Sequence, residues 1–377
     1  MLRMLLAILA PLAALGSVAT PLAAQPAPPV ENELVLLTPV GKTLTDPALA
    51  EFARYAKETW NVTVRTSAIP AGAPIAYGRV LEWKGRPAAD ILWGGEGILF
   101  DRLAEQNLIA KLDLAPAITD SIPATIGSPK PVRLKDPKGF WIGTLLESYG
   151  IVYHPKVYQR LGIPEPKDWD DLLDPRLKGH IVQCAPTLSG SSHGAYEVIL
   201  QRDGDEKGWE WLKRLSANTG MFATRSRDVS SLVAKGEFAA GFAAPSYMAF
   251  EDRLAGFDIK FVAPKTASLS IGTIAVLNGA PHPRAARAFI AFMLSDRGQQ
   301  VAIDRGVFPI NPKLRMEGPP GSTAEVAAKF VGGVRSYFDR DLINVYDEKI
   351  SDKRYEQINA QFRVKIESVW EEIRNRP

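Results

Sequence analysis

The chain has 377 residues, 45 basic against 42 acidic side chains, and a single cysteine. Near-neutrality without a Lys/Arg cluster argues against nucleic acid or an anionic membrane surface as a partner. One cysteine excludes an internal disulfide and a thiolate metal cluster, so the fold rests on apolar burial, which roughly 350 residues supply most naturally as two domains.

The first element is a leader. Arg3 precedes the apolar run of MLRMLLAILAPLAALGSVATPLAA, which ends in small residues before Gln25. That is the order of a secretory signal, with cleavage expected after Ala24. Loss of Arg3 with residues 1–24 takes the formal charge from +3 to +2. Pro11 and Pro21 interrupt the run, and it falls short of the ~20 apolar residues that a membrane span needs. No cysteine stands at the cleavage site to carry a lipid, so an exported, untethered protein is expected. Cys184, within HIVQCAP, reads as a buried small hydrophobe.

Beyond a Pro-rich lead-in, ELVLLTP reads as a buried strand, ALAEFARYAKETW as a helix and NVTVRTSAI as a strand. YGRVLEWKG is a helix, ADILWGG a strand and ILFDRLAEQNLI a helix. A middle unit follows the same alternation: the strand YGIVYHP, short helical turns in DWDDLLDPRLKG, the strand HIVQCAP and the helix SHGAYEVILQRDG. GWEWLKRLSAN and DVSSLVAKGE are helices that flank the strand GMFAT, and AAGFAAP is a further strand. HPRAARAFIAFMLSDRGQQVAI reads as one long amphipathic helix, and the tail from about residue 317 is helical and polar. Strands alternating with helices predict an α/β fold with crossover connections. Ligands in such sheets gather beyond the carboxyl ends of the strands, which singles out the loops TPVG and WGGEG.

The stretches PAADILWGGEGILFDRLAEQNLIAKL, SYGIVYHPKV, DPRLKGHIVQCAPTLSGSSHGAYEVIL, SLVAKGEFAAGF and IAVLNGAPHPRAARAFIAFMLSDRGQQVAI, in this order, resemble a periplasmic solute-binding protein of an ABC importer. The branch resembled includes ferric-iron, hexose-phosphate and aminoethylphosphonate binders. The resemblance implies a type II-like two-lobed fold with a ligand cleft between lobes joined by crossover strands. It implies one lobe of residues 31–148 plus 269–316, a second of 149–268, and a tail, 317–377, on the second lobe. It further implies a monomeric periplasmic binding protein without cofactor that closes on a small solute and delivers it to a membrane permease and its ATPase. No ATP-binding loop is present in the chain.

Four segments carry candidate ligand contacts. In PTLSGSSHGAY, a strand meets a helix at Thr187, Ser189, Gly190, Ser191 and Ser192. Unpaired first-turn N–H groups and hydroxyl donors there suit an oxyanion, although one hydroxyl alone would serve as an ordinary N-cap. In ATRSRDV, Arg225 suits a bidentate grip on phosphate, phosphonate or carboxylate; the alternative is a solvated arginine at a helix start, with Arg227 as competitor. In FAAPSYMAF, Ser246 and Tyr247 stand where ferric binders of the resembled branch carry adjacent tyrosines, and Gly41 stands near the expected histidine. His154, His180, His193 and His282 give no metal-ligand pair, so iron is the runner-up ligand. Tyr149 is expected to face the cleft and Tyr153 the core. In WGGEG, Gly94 and Gly95 suit backbone contacts to ligand, and Glu96 suits an ammonium or a sugar hydroxyl, or merely complements the helix dipole. Thr38 is a first-lobe contact, and Trp93 reads as packing.

Two other functions stay open at this stage. An enzyme would need a nucleophile with a base; His193 lies near the serines, but no GxSxG elbow is present. A sensor that presents its closed form to a receptor would have the same sequence features.

Overall fold

The computed structural model describes residues 30–266, 269–339, 343–344 and 346–375. The leader expected at residues 1–24 lies outside the described residues. Among the latter, no helix is long and apolar enough to cross a membrane.

In chain order, the first half gives β1 (Glu33–Thr38), α1 (Lys42–Trp60), β2 (Arg65–Pro70), α2 (Ala73–Trp83), β3 (Ile91–Trp93), α3 (Gly97–Glu105), β4 (Ile109–Ala110), β5 (Ile142–Gly143) and β6 (Leu145–Tyr153). The second gives β7 (Ile181–Cys184), α4 (Gly190–Asp203), β8 (Thr219–Ala223), α5 (Ser226–Ala234), β9 (Ala240–Pro245), α6 (Ser246–Leu254), β10 (Lys260–Val262), β11 (Leu269–Ser270), β12 (Thr273–Leu277), β13 (Phe308–Pro309) and α7 (Glu348–Lys365).

Two sheets result. The first runs β2-β1-β3-β12-β4, with β5 beside β12. The second runs β8-β7-β9-β6-β10, with β11 and β13 paired to the start of β6. In each, the central βαβ strands are parallel, and one long-range strand joins antiparallel. The chain crosses from the first sheet to the second, returns for β12, and later reaches the second again at β13. Thr144 separates β5 from β6, and Ile271–Gly272 separate β11 from β12. These crossings lie side by side, since Thr144 N–H donates to the Ile271 carbonyl at 2.9 Å.

The helices form where their apolar residues recur every three or four positions. In α1, Leu44, Ala48, Leu49, Phe52 and Ala56 are buried, and Phe52 packs edge-on to Phe289 at 5.3 Å between centroids. Trp93 is fully buried, and its indole N–H donates to Thr144 Oγ1 at 2.9 Å. Tyr153 is core and Cys184 is a buried thiol. The single long helix expected over residues 282–303 is two, Pro283–Leu294 and Asp296–Ile303. Ser295 breaks it: its backbone is extended and its hydroxyl accepts from Gly298 N–H, so it caps the second helix.

The C-terminal tail touches both halves. Ile358, Phe362 and Ile366 join the core around β7 and α4, whereas Tyr355 packs with Ile98 and Leu99 of α3. Arg102 pairs with Asp352 at 2.9 Å, and Arg354 with Glu197 at 2.7 Å. Helix α7 is therefore strapped to α3 on one side and to α4 on the other.

Candidate functional site

Six parallel strands each end by feeding a helix: β1 to α1, β2 to α2, β3 to α3, β7 to α4, β8 to α5 and β9 to α6. The N-cap residues are Gly41, Gly72, Glu96, Ser189, Arg225 and Pro245. All six line one cavity of about 540 Å3. Only Ser189 uses its side chain as a cap, on Ser192 N–H. The other five helix starts carry no side-chain cap. Each helix start contributes open N–H groups and the positive end of its dipole, equivalent to roughly half a charge. Six of them converge on one space.

Three hydroxyls stand at two of these starts. Ser189 Oγ lies 2.6 Å from Ser226 Oγ and 2.9 Å from Ser191 Oγ, and Ser191 and Ser226 are 3.0 Å apart. Gly190 completes this wall of the cavity. Thr187 is not on the wall, and Ser192 is buried in the first turn of α4. Ser226 went unnamed in the sequence reading; its position at the start of a helix after a strand was the available signal.

Of the two arginines, Arg225 lies at the mouth with its side chain 72% exposed and one partner, Asp228, at 3.1 Å. Arg227 is the anchored one. Its guanidinium grips Asp252 through two bonds of 2.5 and 2.6 Å and reaches the Met248 carbonyl at 3.2 Å. Arg227, the competitor of Arg225 for the anion role, lines the cavity and neutralises a buried carboxylate, and Arg225 is the more solvated of the two.

The cavity is bridged from both sheets. Gly41 N–H donates to Tyr247 Oη at 3.1 Å, and Thr43 Oγ1 donates to Glu251. Tyr149 and Tyr247 are buried in the wall, and burial beside Glu147 pushes both phenols well above their usual range. Ser246 is buried at the start of α6 but is not on the wall, so its nomination as a contact is corrected. Gly94 and Gly95 have φ of +100° and +123°. A Cβ on Gly94 would also come within 2.8 Å of Pro39, so glycine is required there on both counts. Thr38 lines the cavity, but its hydroxyl donates to the Trp93 carbonyl at 2.6 Å and accepts from Val40 N–H at 3.0 Å. Its main work is to tie β1 to β3.

Glu96 faces two ways. It lines the cavity, yet its Oε1 lies 3.5 Å from His193 Nδ1, and Tyr346 Oη lies 3.5 Å from its Oε2. His193 is fully buried and stacked on Tyr355 with 3.9 Å between centroids. Its ring nitrogens make no hydrogen bond to the serine hydroxyls, so the Ser–His pair that a hydrolase needs is not assembled.

Two acids that the sequence reading passed over also line the cavity. Burial pushes the Glu147 carboxyl up to about 8. Burial pushes Glu251 up to about 7, against the pull of Arg227. Glu147 was detectable in principle as the lone charge in the nine-residue buried strand LLESYGIVY.

Against known sequences, residues 36–300 match the family described as bacterial extracellular solute-binding protein. The chain belongs to that family. Among curated relatives, it is 25% identical over 261 residues to the phosphoglycerate transport regulatory protein PgtC of Salmonella typhimurium, covering 69% of this chain and 62% of that one. The chain thus spans less than two thirds of that relative's length. Solved structures share the fold. The periplasmic binding protein AfuA of Actinobacillus pleuropneumoniae, with fructose-6-phosphate bound, aligns at TM-score 0.73 and 22% identity over 89% of this chain and 98% of its own. Iron-bound HitA of Pseudomonas aeruginosa aligns at 0.65 and 21% over 87% and 99%. The fold of this solute-binding protein is accordingly the type II-like, two-lobed periplasmic-binding-protein fold.

Proposed function

We propose that this solute-binding protein is the periplasmic component of an ABC importer and captures a small organic anion: a phosphate ester, a phosphonate or a carboxylate. The convergence of six helix N-termini on one cavity carries this reading. An anion there meets preorganised N–H donors, the Ser189–Ser191–Ser226 hydroxyls and Arg225. Family membership supports the transport role, and a relative named for phosphoglycerate transport and a fold neighbour solved with fructose-6-phosphate bound support the class of solute.

Capture proceeds by closure of two lobes, residues 31–148 plus 269–316 and residues 149–268. The side-by-side crossings at Thr144 and Ile271–Gly272 supply the hinge. Contacts that exist only when the walls meet, such as Gly41 N–H to Tyr247 Oη, supply the closed-state stabilisation that a ligand reinforces. The closed monomer then docks on its permease, without cofactor or catalysis. Cleavage after Ala24 delivers it to the periplasm unlipidated.

Ferric iron is the second reading, supported by the shared fold of iron-bound HitA and by Tyr149 and Tyr247 in one wall. Ser246 and Gly41 in place of a second adjacent tyrosine and a histidine weaken it. Thermal-shift screening separates the two. A solute at a hundred times its Kd adds about 2.7 kcal/mol to stability; the expected responders are organic anions, and a response to Fe3+ alone would refute the anion reading.

A further inference from the structure

Helix α7 is held in two unlike ways. Its C-terminal half is rooted in the lobe of residues 149–268. Ile358, Phe362 and Ile366 are buried in that core, and Phe362 packs edge-on to Tyr196 and Phe222 at 5.8 and 5.7 Å between centroids. Its N-terminal half reaches the other lobe and is fastened there by charge. Arg102 Nε donates to Asp352 Oδ1 at 2.9 Å, and its Nη2 donates to the Asp352 carbonyl at 2.5 Å. Arg133 Nε donates to Glu348 at 2.6 Å. Arg133 is preset for this contact: Asp101 holds its Nη2 at 2.5 Å, and its guanidinium lies over Trp141. Tyr355 adds an apolar contact with Ile98 and Leu99.

When the lobes part, one of the two attachments must give. The aromatic root is fully buried, and its exposure costs in proportion to its apolar area. The two arginine side chains are 21% and 32% exposed, and ion pairs of that kind are individually weak. The clips therefore release and the root holds. The seam they close is also short of hydrogen bonds. Glu96 Oε1, both ring nitrogens of His193 and Tyr355 Oη are buried with no hydrogen-bond partner among the described residues. Opening returns water to these atoms, which works against the clips. The seam also runs into the ligand cleft: Tyr355 stacks on His193, His193 Nδ1 stands 3.5 Å from Glu96 Oε1, and Glu96 lines the cavity.

We propose that α7 is a closure latch, with Arg102 and Arg133 as positioning residues for solute capture. They clip the lobe of residues 31–148 plus 269–316 onto a helix rooted in the other lobe, and so set the closed fraction of the ligand-free protein. This inference rests on the two-lobe closure proposed above. Neither arginine lines the cavity. Cutting the clips therefore lowers apparent affinity through the closed fraction, with every ligand contact intact.

Spin labels on Ile75→Cys and Met221→Cys read the lobe separation without any ligand. Both side chains are exposed. Ile75 lies in the first turn of α2, after β2, and Met221 lies on β8; β2 and β8 are the outer strands of their sheets, away from the crossings at Thr144 and Gly272. Cys184 is buried and stays unlabelled. Pulsed electron resonance of the mature protein should resolve a short and a long distance. The short-to-long ratio is expected to fall about tenfold in Arg102→Ala/Arg133→Ala, the combined worth of two part-exposed clips. Cutting the same clips from the helix side, in Glu348→Gln/Asp352→Asn, should shift the ratio equally. Exchanging partners, in Arg102→Asp/Asp352→Arg, should recover part of the short population, which a merely structural loss would not. Gly72→Val, whose side chain would meet the Leu188 carbonyl across the cleft, is the comparator for opening from within. An unchanged ratio in both clip-cutting variants, while Gly72→Val moves to the long distance, would overturn the latch and leave closure standing. One distance throughout, Gly72→Val included, would mark failure of the closure reading itself.

Discussion

The two arginines of the cleft should separate stability from affinity. Arg227→Ala strips a bidentate partner from Asp252, whose side chain is 5% exposed and keeps only the Ser230 hydroxyl, at 2.6 Å. Orphaning one member of a buried ion pair costs roughly 3–5 kcal/mol. The guanidinium is 34% exposed, so solvent screening lowers the expected loss to about 2–3 kcal/mol. Arg225→Ala removes a side chain that is 72% exposed, and the ligand-free fold should change by less than about 0.5 kcal/mol. Its affinity for an anionic solute should instead fall by about one to two orders of magnitude, the worth of a charge-assisted contact. Arg225→Lys should restore only part, since an ammonium cannot reproduce the planar fork. Urea unfolding of the ligand-free proteins, followed by the fluorescence of the 8 tryptophans, gives the stability arm, and calorimetric titration gives the other. Adding Asp252→Asn to Arg227→Ala should recover much of the lost stability by removing the stranded charge. The reasoning is refuted if Arg227→Ala unfolds at the wild-type urea midpoint, or if Arg225→Ala is the more destabilised of the two.

A Cβ on Gly72 would lie 2.4 Å from the Leu188 carbonyl oxygen across the cleft. Gly72→Val should therefore fold normally yet resist closure, with ligand-induced compaction in small-angle scattering lost; wild-type compaction would contradict the closure account. The raised carboxyls of Glu147 and Glu251, about 8 and about 7 against an ordinary 4.5, keep protons in the folded state that the unfolded chain has released. Their contribution to stability is present at pH 5 and is lost as pH climbs to 8. Glu147→Gln should thus gain on the wild type by roughly 4 kcal/mol between pH 5 and pH 9, read by urea unfolding, and a difference independent of pH would refute it. Replacing Ser189, Ser191 and Ser226 together by Ala should remove most anion affinity in calorimetry, at about 1 kcal/mol of stability from the lost Ser189 cap; unchanged affinity would show that the helix starts alone suffice. Intact-mass measurement of the exported protein should show loss of residues 1–24, and a full-length chain in the membrane fraction would refute cleavage.

Regular elements and the helix starts were legible because they depend on local patterns. The alternation of ELVLLTP, ALAEFARYAKETW and NVTVRTSAI predicts β1, α1 and β2 in order, although α1 begins at Lys42 rather than Ala48. The loop around Ser189–Gly190–Ser191 was recognisable because a strand, small hydroxyl residues and a helix follow in order. What sequence could not show is pairing across the fold. Arg225 and Arg227 look alike on paper, and only the approach of α6 to α5 gives Arg227 its carboxylate, Asp252. Thr38 looked free, but the register of β1 against β3 uses its hydroxyl. Glu147 and Glu251 are ordinary acids until β6 and α6 bury them in the same wall. Ser295 is a cap signal inside HPRAARAFIAFMLSDRGQQVAI, whose apolar stripe on both sides reads as one helix.

The most direct test of the anion cleft is titration of the mature, ligand-stripped protein with matched pairs of phosphate esters and their parent alcohols. The account predicts tight binding of at least one phosphate ester or phosphonate, no heat from the alcohols, and a loss of affinity in Arg225→Ala. Tight binding of Fe3+ with a visible phenolate charge-transfer band that survives citrate, together with silence toward every organic anion, would contradict it.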